Sequence, residues 1–338
     1  MLRLDRFSSF ALCIFGVLPM AATAQISDSC KSVLTGQRLT VIVPNAAGGG
    51  YDTYARALAP VIDAVAGLQS SVVNMPAAGG LVALTTLADS GPDELVVMVE
   101  NGTDVLRAEV QDGASAWSER VQRIGVFHAE PSAWVGKPDM DFINAENLVA
   151  ASSSADGIVE FEFGGQAVGK VVKLISGYDG SKETEAAVLR GDADFMSGSL
   201  TTSLKAAKSG DLTVQLLLSD KPSDRAPGVP HIAGEDGLAA QLAKDLSPEE
   251  RAKRIEIAGL VVDLSYDVRT VFTHSTLRQD LRECLTEAVA DAIRDPAFAE
   301  TAEAQGRPVT PMDPDESADL LASQMVSVAK LAEMVKAQ

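Results

Sequence analysis

The chain predicts an α/β fold of two lobes, each a mostly parallel sheet flanked by helices, with a ligand cleft between them. Three observations carry this expectation. Short β-branched apolar runs alternate with helical segments at a spacing that suits parallel strands joined by crossover helices. The alternation restarts near the middle, and 338 residues with 46% hydrophobic content can build about two cores. Loops after several strands are rich in glycine and small polar residues, and open α/β sheets bind ligands outside the carboxyl ends of their strands.

The first residues belong to export. Arg3 and Arg6 precede the apolar run FALCIFGVL, and Ala22-Thr23-Ala24 forms a small-residue cleavage site, the pattern of a signal peptide over residues 1–24. The run is shorter than the roughly 20 residues that cross a bilayer. Bulky Leu12 before Cys13 does not fit a lipoprotein signal. The mature chain is therefore expected to begin near Gln25, cleaved and soluble in the periplasm.

The strand LTVIV is followed by PNAAGGG and the helix YDTYARALAPVI, and SSVVNM by PAAGG and the helix LVALTTLAD. ELVVMVE is a strand ending in the polar turn NGTD. From RIGVFHAEPSAWVG a second α/β unit begins, with NLVAASS, the expected strand IVEFEF, a glycine turn opening a helix at Gly164, ADFMSG and LTVQLLLSD. KPSDRAPGVPHIAGEDG is a Pro- and Gly-rich loop. A helix STLRQDLRECLTEAVADAIRDP stops near Pro296, and a last helix follows PMDPDE.

Charge excludes several partners. The formal charge is −19, and removal of Arg3, Asp5 and Arg6 takes away a net +1, leaving about −20. Nucleic acid and anionic membranes need basic patches and are not expected partners. His128, His231 and His274 are scattered and no cysteine or histidine cluster has metal-ligand spacing, so a zinc site is not expected; no cofactor is expected either. The exported chain keeps Cys30 and Cys284, which are either a disulfide or two unrelated buried thiols.

Gly48-Gly49-Gly50 is neither a dinucleotide fingerprint, since Thr53 stands where a glycine is needed, nor a P-loop, since Tyr51-Asp52-Thr53 follows. It remains a glycine turn feeding a helix N-terminus, where free N–H groups and the helix dipole favour an anion, or a merely tight connection. GGQAVGKV, Gly164 to Val171, matches G-x-x-x-x-G-K but lacks the Ser or Thr that holds magnesium. Its other reading is a second helix N-terminus, with N–H groups around Gly164, Gly165 and Gln166 facing the cleft. Asn101 and Thr103 in NGTD are candidate ligand contacts, although ordinary turns use the same residues. Ser199 in MSGSLTT sits at a strand end and lacks both a nucleophile elbow and a base.

Together these segments resemble the substrate-binding proteins of tripartite tricarboxylate transporters, the Bug family. VIVPNAAGGGYDTYARALAPVI is similar to that family's opening strand, glycine loop and A-R-x-L-A helix, and VVNMPAAGG to its second loop. GYDGSKETEAAVLRGDADFMSGS, APGVPHIAGEDG and IRDPAFAETAEAQGRPVTP resemble later family segments in the same order, over nearly the whole mature chain. The resemblance implies a two-lobed periplasmic binding protein of the Venus-flytrap type. It would be a non-enzymatic monomer that closes on a small organic carboxylate and delivers it to membrane transporter subunits.

By position the resemblance assigns ligand contact to Asn45, Ala46, Ala47, Gly48, Gly49, Gly50 and Asp52 in the first loop. It adds Asn101 and Thr103, then Gly164, Gly165 and Gln166 in the second lobe, and Ser199. It suggests an anion held by backbone N–H groups and water without an arginine clamp. It assigns lobe 1 to about residues 25–125 plus 256–338 and lobe 2 to about 126–255, so Cys30 and Cys284 share a lobe and are expected to be bonded.

The departures lie at the cleft. Asn45 replaces an aromatic, Gln166 and Lys170 replace a Gly-Ser run and a histidine, and DLSYDVRTVFTHSTL replaces A-P-x-G-T-P. Gly198 stands where the family often has Asp, which argues against a ligand with an amino group. The competing readings are a P-loop-like hydrolase using Lys170, a serine hydrolase using Ser199, and a sensor that presents its ligand to a receptor.

Overall fold

The computed structural model describes residues 26–112, 117–153 and 157–336. The expected signal peptide, with Cys13 and the cleavage site at Ala24, lies outside the described residues. Among the described residues there are ten strands: β1 Arg38–Val43, β2 Gln69–Asn74, β3 Val96–Asn101, β4 Val121–Glu130, β5 Ser132–Gly136, β6 Asn147–Ala151, β7 Val171–Ile175, β8 Phe195–Ser199, β9 Thr213–Leu218 and β10 Asp267–His274. They form two five-stranded sheets in the orders β2-β1-β3-β10-β4 and β7-β6-β8-β5-β9.

Four strands of each sheet run one way and one runs against them. In the first sheet β10 is antiparallel to β3 and β4, and in the second β5 is antiparallel to β8 and β9. The reversed strands are those the chain enters directly from the other lobe. β4 ends at Glu130 and β5 begins at Ser132, while the helix Pro248–Ser265 delivers the chain to β10. A reversed strand starts where its neighbours finish, so the first residues of β5 and β10 share the ligand-binding end with the carboxyl ends of the others.

Both faces of each sheet are covered, which is why the strands read as nearly continuous apolar runs. On the first sheet Val41, Val97, Val99 and Val271 meet Tyr54, Leu58 and Ile62 of the helix Gly50–Ala66, together with Leu285 and Val289 of Gln279–Arg294. Ile42, Met98 and Phe272 meet Leu84 and Leu87 on the opposite face. In the second lobe Trp134, Ala150 and Phe195 pack on Ile257, Ala258 and Val261. The passages between sheets thus lie beyond the expected boundaries at 125/126 and 255/256, which fall inside β4 and inside the helix Pro248–Ser265. Strand pairing holds β4 in the first sheet as far as Glu130, and that helix buries its apolar face in the second lobe.

Cys30 and Cys284 are bonded, pinning the helix Asp28–Leu34 to Gln279–Arg294 across 254 residues of sequence. One expected strand is absent: Ile158–Phe163 is a π-helical turn that runs into the five-residue helix Gly164–Val168. The alternation in IVEFEF puts Val159, Phe161 and Phe163 in the core, a pattern of burial that a wide helical turn also satisfies. The strand of this region is VVKLI, β7, which follows. Among the described residues no helix is long and apolar enough to cross a membrane.

Candidate functional site

A cavity of about 140 Å³ lies between the ligand-binding ends of the two sheets. Its first-lobe wall is the turn after β1. Asn45, Ala46, Ala47, Gly49 and Gly50 all line it. Gly49 caps the helix Gly50–Ala66 with no side-chain acceptor, so the N–H groups of Gly50 and Tyr51 have no partner within the helix. Gly48 takes a left-handed φ of 79°, and a Cβ there would lie 2.7 Å from Lys182 Nζ of the other lobe.

Asp52 and Gly48 are expected contacts that do not line the cavity. Asp52 is buried and folds back, accepting from Gly48 N at 2.7 Å and from Arg56 Nε at 3.0 Å. Burial alone would raise its carboxyl, but the bonds from Arg56 and Gly48 outweigh this and hold it low. Its work is to set the loop's shape. Asn101 lines the cavity while its Oδ1 also accepts from Val268 N at 2.9 Å and Thr103 N at 3.2 Å, joining β3 to β10. Thr103 is fully buried, donates to Asn101 Oδ1 and Tyr266 O, and lies off the cavity.

The second-lobe wall differs from the expected one. Gly164, Gly165 and Gln166 do not reach the cavity. A Cβ on Gly164 would lie 2.8 Å from the Trp134 ring and one on Gly165 2.7 Å from Val172, so these glycines permit close packing in the core. The lysine of the P-loop-like motif is equally committed. Lys170 is buried, donates from Nζ to Ile143 O, and sits over the Phe142 ring.

The helix N-terminus that does face the cavity is that of Ser181–Arg190, in the GYDGS segment. It is capped by Gly180 with no side-chain acceptor, and Gly180, Ser181 and Lys182 line the site. Each lobe therefore presents one uncapped helix start to the same space, with Lys182 adding a cation. Ser152, Ser153, Ser197 and Ser199 contribute hydroxyls from strand ends of this lobe. Ser199 accepts from Arg269 Nη2 at 2.9 Å and caps the next helix through Thr202 N. A guanidinium cannot take its proton, so Ser199 has no activating base there.

The largest residues missed in the sequence are on the first lobe's reversed strand. Arg269 is 2% exposed, lines the cavity, pairs with Asp267 at 3.0 Å and lies 4.3 Å above the Tyr51 ring. Tyr51 Oη donates to Asp267 Oδ1 at 2.6 Å. Burial opposes the Arg269 charge, but Asp267, Tyr51 and Glu130 hold it firmly protonated. A buried arginine thus stands where the resemblance implied none, although its contacts belong to the protein. Its segment, DLSYDVRTV, departs from the family pattern. That departure was the one available pointer. Among the described residues no group of His, Cys, Asp and Glu could hold a metal.

Fold and site together define a two-lobed α/β protein with an interlobe cavity. No protein-family model matches the chain. It is similar to a UPF0065 protein from the TAR-I ttuE–ttuC′ intergenic region of Agrobacterium vitis, 24% identical over 298 residues, covering 84% of this chain and 78% of that one. Among solved structures it matches the periplasmic binding protein BugD with a TM-score of 0.63 at 18% identity, covering 89% and 97% of the two chains. It also matches MatC from Rhodopseudomonas palustris with bound malate, with a TM-score of 0.64 at 17% identity, covering 89% and 99%. These likenesses show the fold and support the resemblance to Bug receptors read from the sequence.

Proposed function

We propose that this chain is a periplasmic solute-binding receptor of the Bug type, which captures a small organic carboxylate between its lobes and hands it to the membrane subunits of a tripartite tricarboxylate-type transporter. The observation that carries the reading is the pair of uncapped helix N-termini, at Gly50 and at Ser181, facing one cavity from opposite lobes. Each offers unpaired N–H groups and a dipole favourable to an anion. Such local dipoles let a chain of −19 formal charge hold a carboxylate against its overall field. The bound malate of MatC, on the same fold, agrees with this chemistry.

The reading includes export with cleavage near Ala24, a monomeric mature protein and no catalysis. Isothermal titration of the mature protein with malate, succinate and adipate tests it. Saturable binding of a carboxylate that is recovered unchanged is expected. Turnover of the bound acid, or hydrolysis of ATP at the motif around Lys170, would overturn it.

A further inference from the structure

We infer that the cavity takes an amino-carboxylate, with the ligand's ammonium group received by Glu100 on the first-lobe wall. The inference rests on the receptor reading above and narrows its ligand class.

Glu100 is the penultimate residue of β3, is 6% exposed and lines the cavity. Its Oε1 accepts from Asn101 N at 2.6 Å, and no ion pair to a described residue offsets its charge. The nearby guanidinium of Arg269 is already held by Asp267 at 3.0 Å and by Ser199 at 2.9 Å. Asp267 is further served by the Tyr51 hydroxyl. The protein therefore neutralises one of these two buried carboxylates and leaves the other facing the ligand.

A buried carboxylate with a single donor is costly unless a cation or further donors meet it. Burial, Asp104 and Asp267 push the Glu100 carboxyl well above the usual carboxylate range, which is the electrostatic mark of that deficit. An approaching ammonium favours release of the carboxyl proton, because the opposite charge offsets the cost of burying the carboxylate. An ammonium there would gain charge-assisted hydrogen bonds.

The cavity lining thus carries two opposite preferences. The helix starts at Gly50 and Ser181, with Lys182, suit a carboxylate, and Glu100 suits an ammonium. About 140 Å³ fits a ligand whose two groups are separated by only a few carbons. Gly198, which stands where relatives of the Bug type often carry an acid, is no obstacle. Here the acid comes from the first lobe.

Matched acids test the assignment by calorimetry at neutral pH: succinate against aspartate, glutarate against glutamate, and butyrate against 4-aminobutyrate. The amino member of at least one pair should bind about tenfold tighter or more. Glu100→Gln should erase that preference, bringing the amino member of the pair to the affinity of its non-amino partner. If the non-amino acids bind as tightly or more tightly to the wild-type protein, the ammonium site is wrong and the carboxylate receptor stands. That comparison needs no variant. If no member of any pair saturates the folded protein, the receptor reading falls and this inference falls with it.

Discussion

The backbone N–H of Ala46 donates to the carbonyl of Asp179 at 3.0 Å, tying the first lobe's glycine loop to the mouth of the second lobe's helix. Side chains make comparable bridges, among them these three. Arg307 Nη1 donates to Thr202 Oγ1 at 3.0 Å, Lys205 Nζ to Gln305 O at 2.6 Å, and Arg269 Nη2 to Ser199 Oγ at 2.9 Å. The lobes are in contact around the cavity. A hinge protein whose closed form makes contacts that the open form lacks is shifted toward closure by its ligand. Small-angle scattering should therefore show a smaller radius of gyration with a tight carboxylate than without it. In the double variant Arg307→Ala/Lys205→Ala the ligand-free form should be larger than wild type. An unchanged curve in both comparisons would mean lobes locked by other contacts.

Gly180 is where a side chain can hold the cleft ajar. A Cβ there would lie 3.8 Å from the Ala46 Cβ, and its backbone, at φ 168° and ψ −179°, is extended and open to any residue. Gly180→Ala should bind nearly as wild type. Gly180→Leu should place a wedge against Ala46 and weaken carboxylate binding at least tenfold, about 1.4 kcal/mol. Circular dichroism of both variants should be unchanged. Equal affinities for Ala and Leu would remove this contact from the closing surface.

Asp52 should act on the loop and through it on binding. Its replacement by Ala removes the acceptor of Gly48 N and leaves the left-handed turn without its tie. The exposed Arg56 partner contributes little by itself, since surface pairs give about 0–1 kcal/mol. The backbone bond to a charged acceptor is the larger loss, and about 1.5–3 kcal/mol of stability should disappear in urea denaturation. Calorimetry should find weaker binding even though Asp52 does not touch the cavity. A variant as stable as wild type would show that the loop keeps its shape unaided.

Glu100 predicts a specific dependence of stability on pH. Burial, then Asp104, raises its carboxyl, with Asp267 acting in the same direction and Asn101 N–H and Arg269 opposing. The folded state thus keeps this proton over a range where the unfolded chain has released it. The resulting stabilisation is complete below the unfolded value near 4.5 and is lost as pH rises through the higher folded value. Glu100→Gln should flatten that decline and raise Tm at pH 7, by about 2–4 °C for each kcal/mol recovered. Melts of both proteins across pH 4.5 to 7.5 measure it. A Gln variant with the wild-type slope would assign the effect to another group.

The disulfide should be worth about 2–4 kcal/mol, because it restricts an unfolded loop spanning most of the chain. Thiol titration of unfolded, unreduced mature protein should find none, and reduction should lower Tm. A Tm unmoved by complete reduction would show that packing of Cys30 and Cys284 in the first-lobe core is sufficient.

Local pattern carried the α/β class and the first-lobe wall. The runs LTVIV and ELVVMV announce buried strands because apolar period and β-branching act on neighbouring residues. The glycines after β1 announce a helix start for an equally local reason, and Asn45 to Ala47, Gly49 and Gly50 do line the cavity. Local pattern failed at IVEFEF, where every second residue is buried by a helical turn as readily as by a strand. It failed again at Gly164 and Gly165, whose missing side chains make room for Trp134 and Val172, residues distant or on the next element. Strand direction is the deeper case. Nothing within DVRTVFTH distinguishes a strand that runs with its neighbours from one that runs against them. Only the pairing of Arg269 with Asn101 turns the start of β10 toward the cleft and sets Arg269 and Asp267 beside Glu100. That partnership is made by the sheet as a whole, because hydrogen bonding between strands 160 or more residues apart in the chain decides which end of β10 meets the ligand.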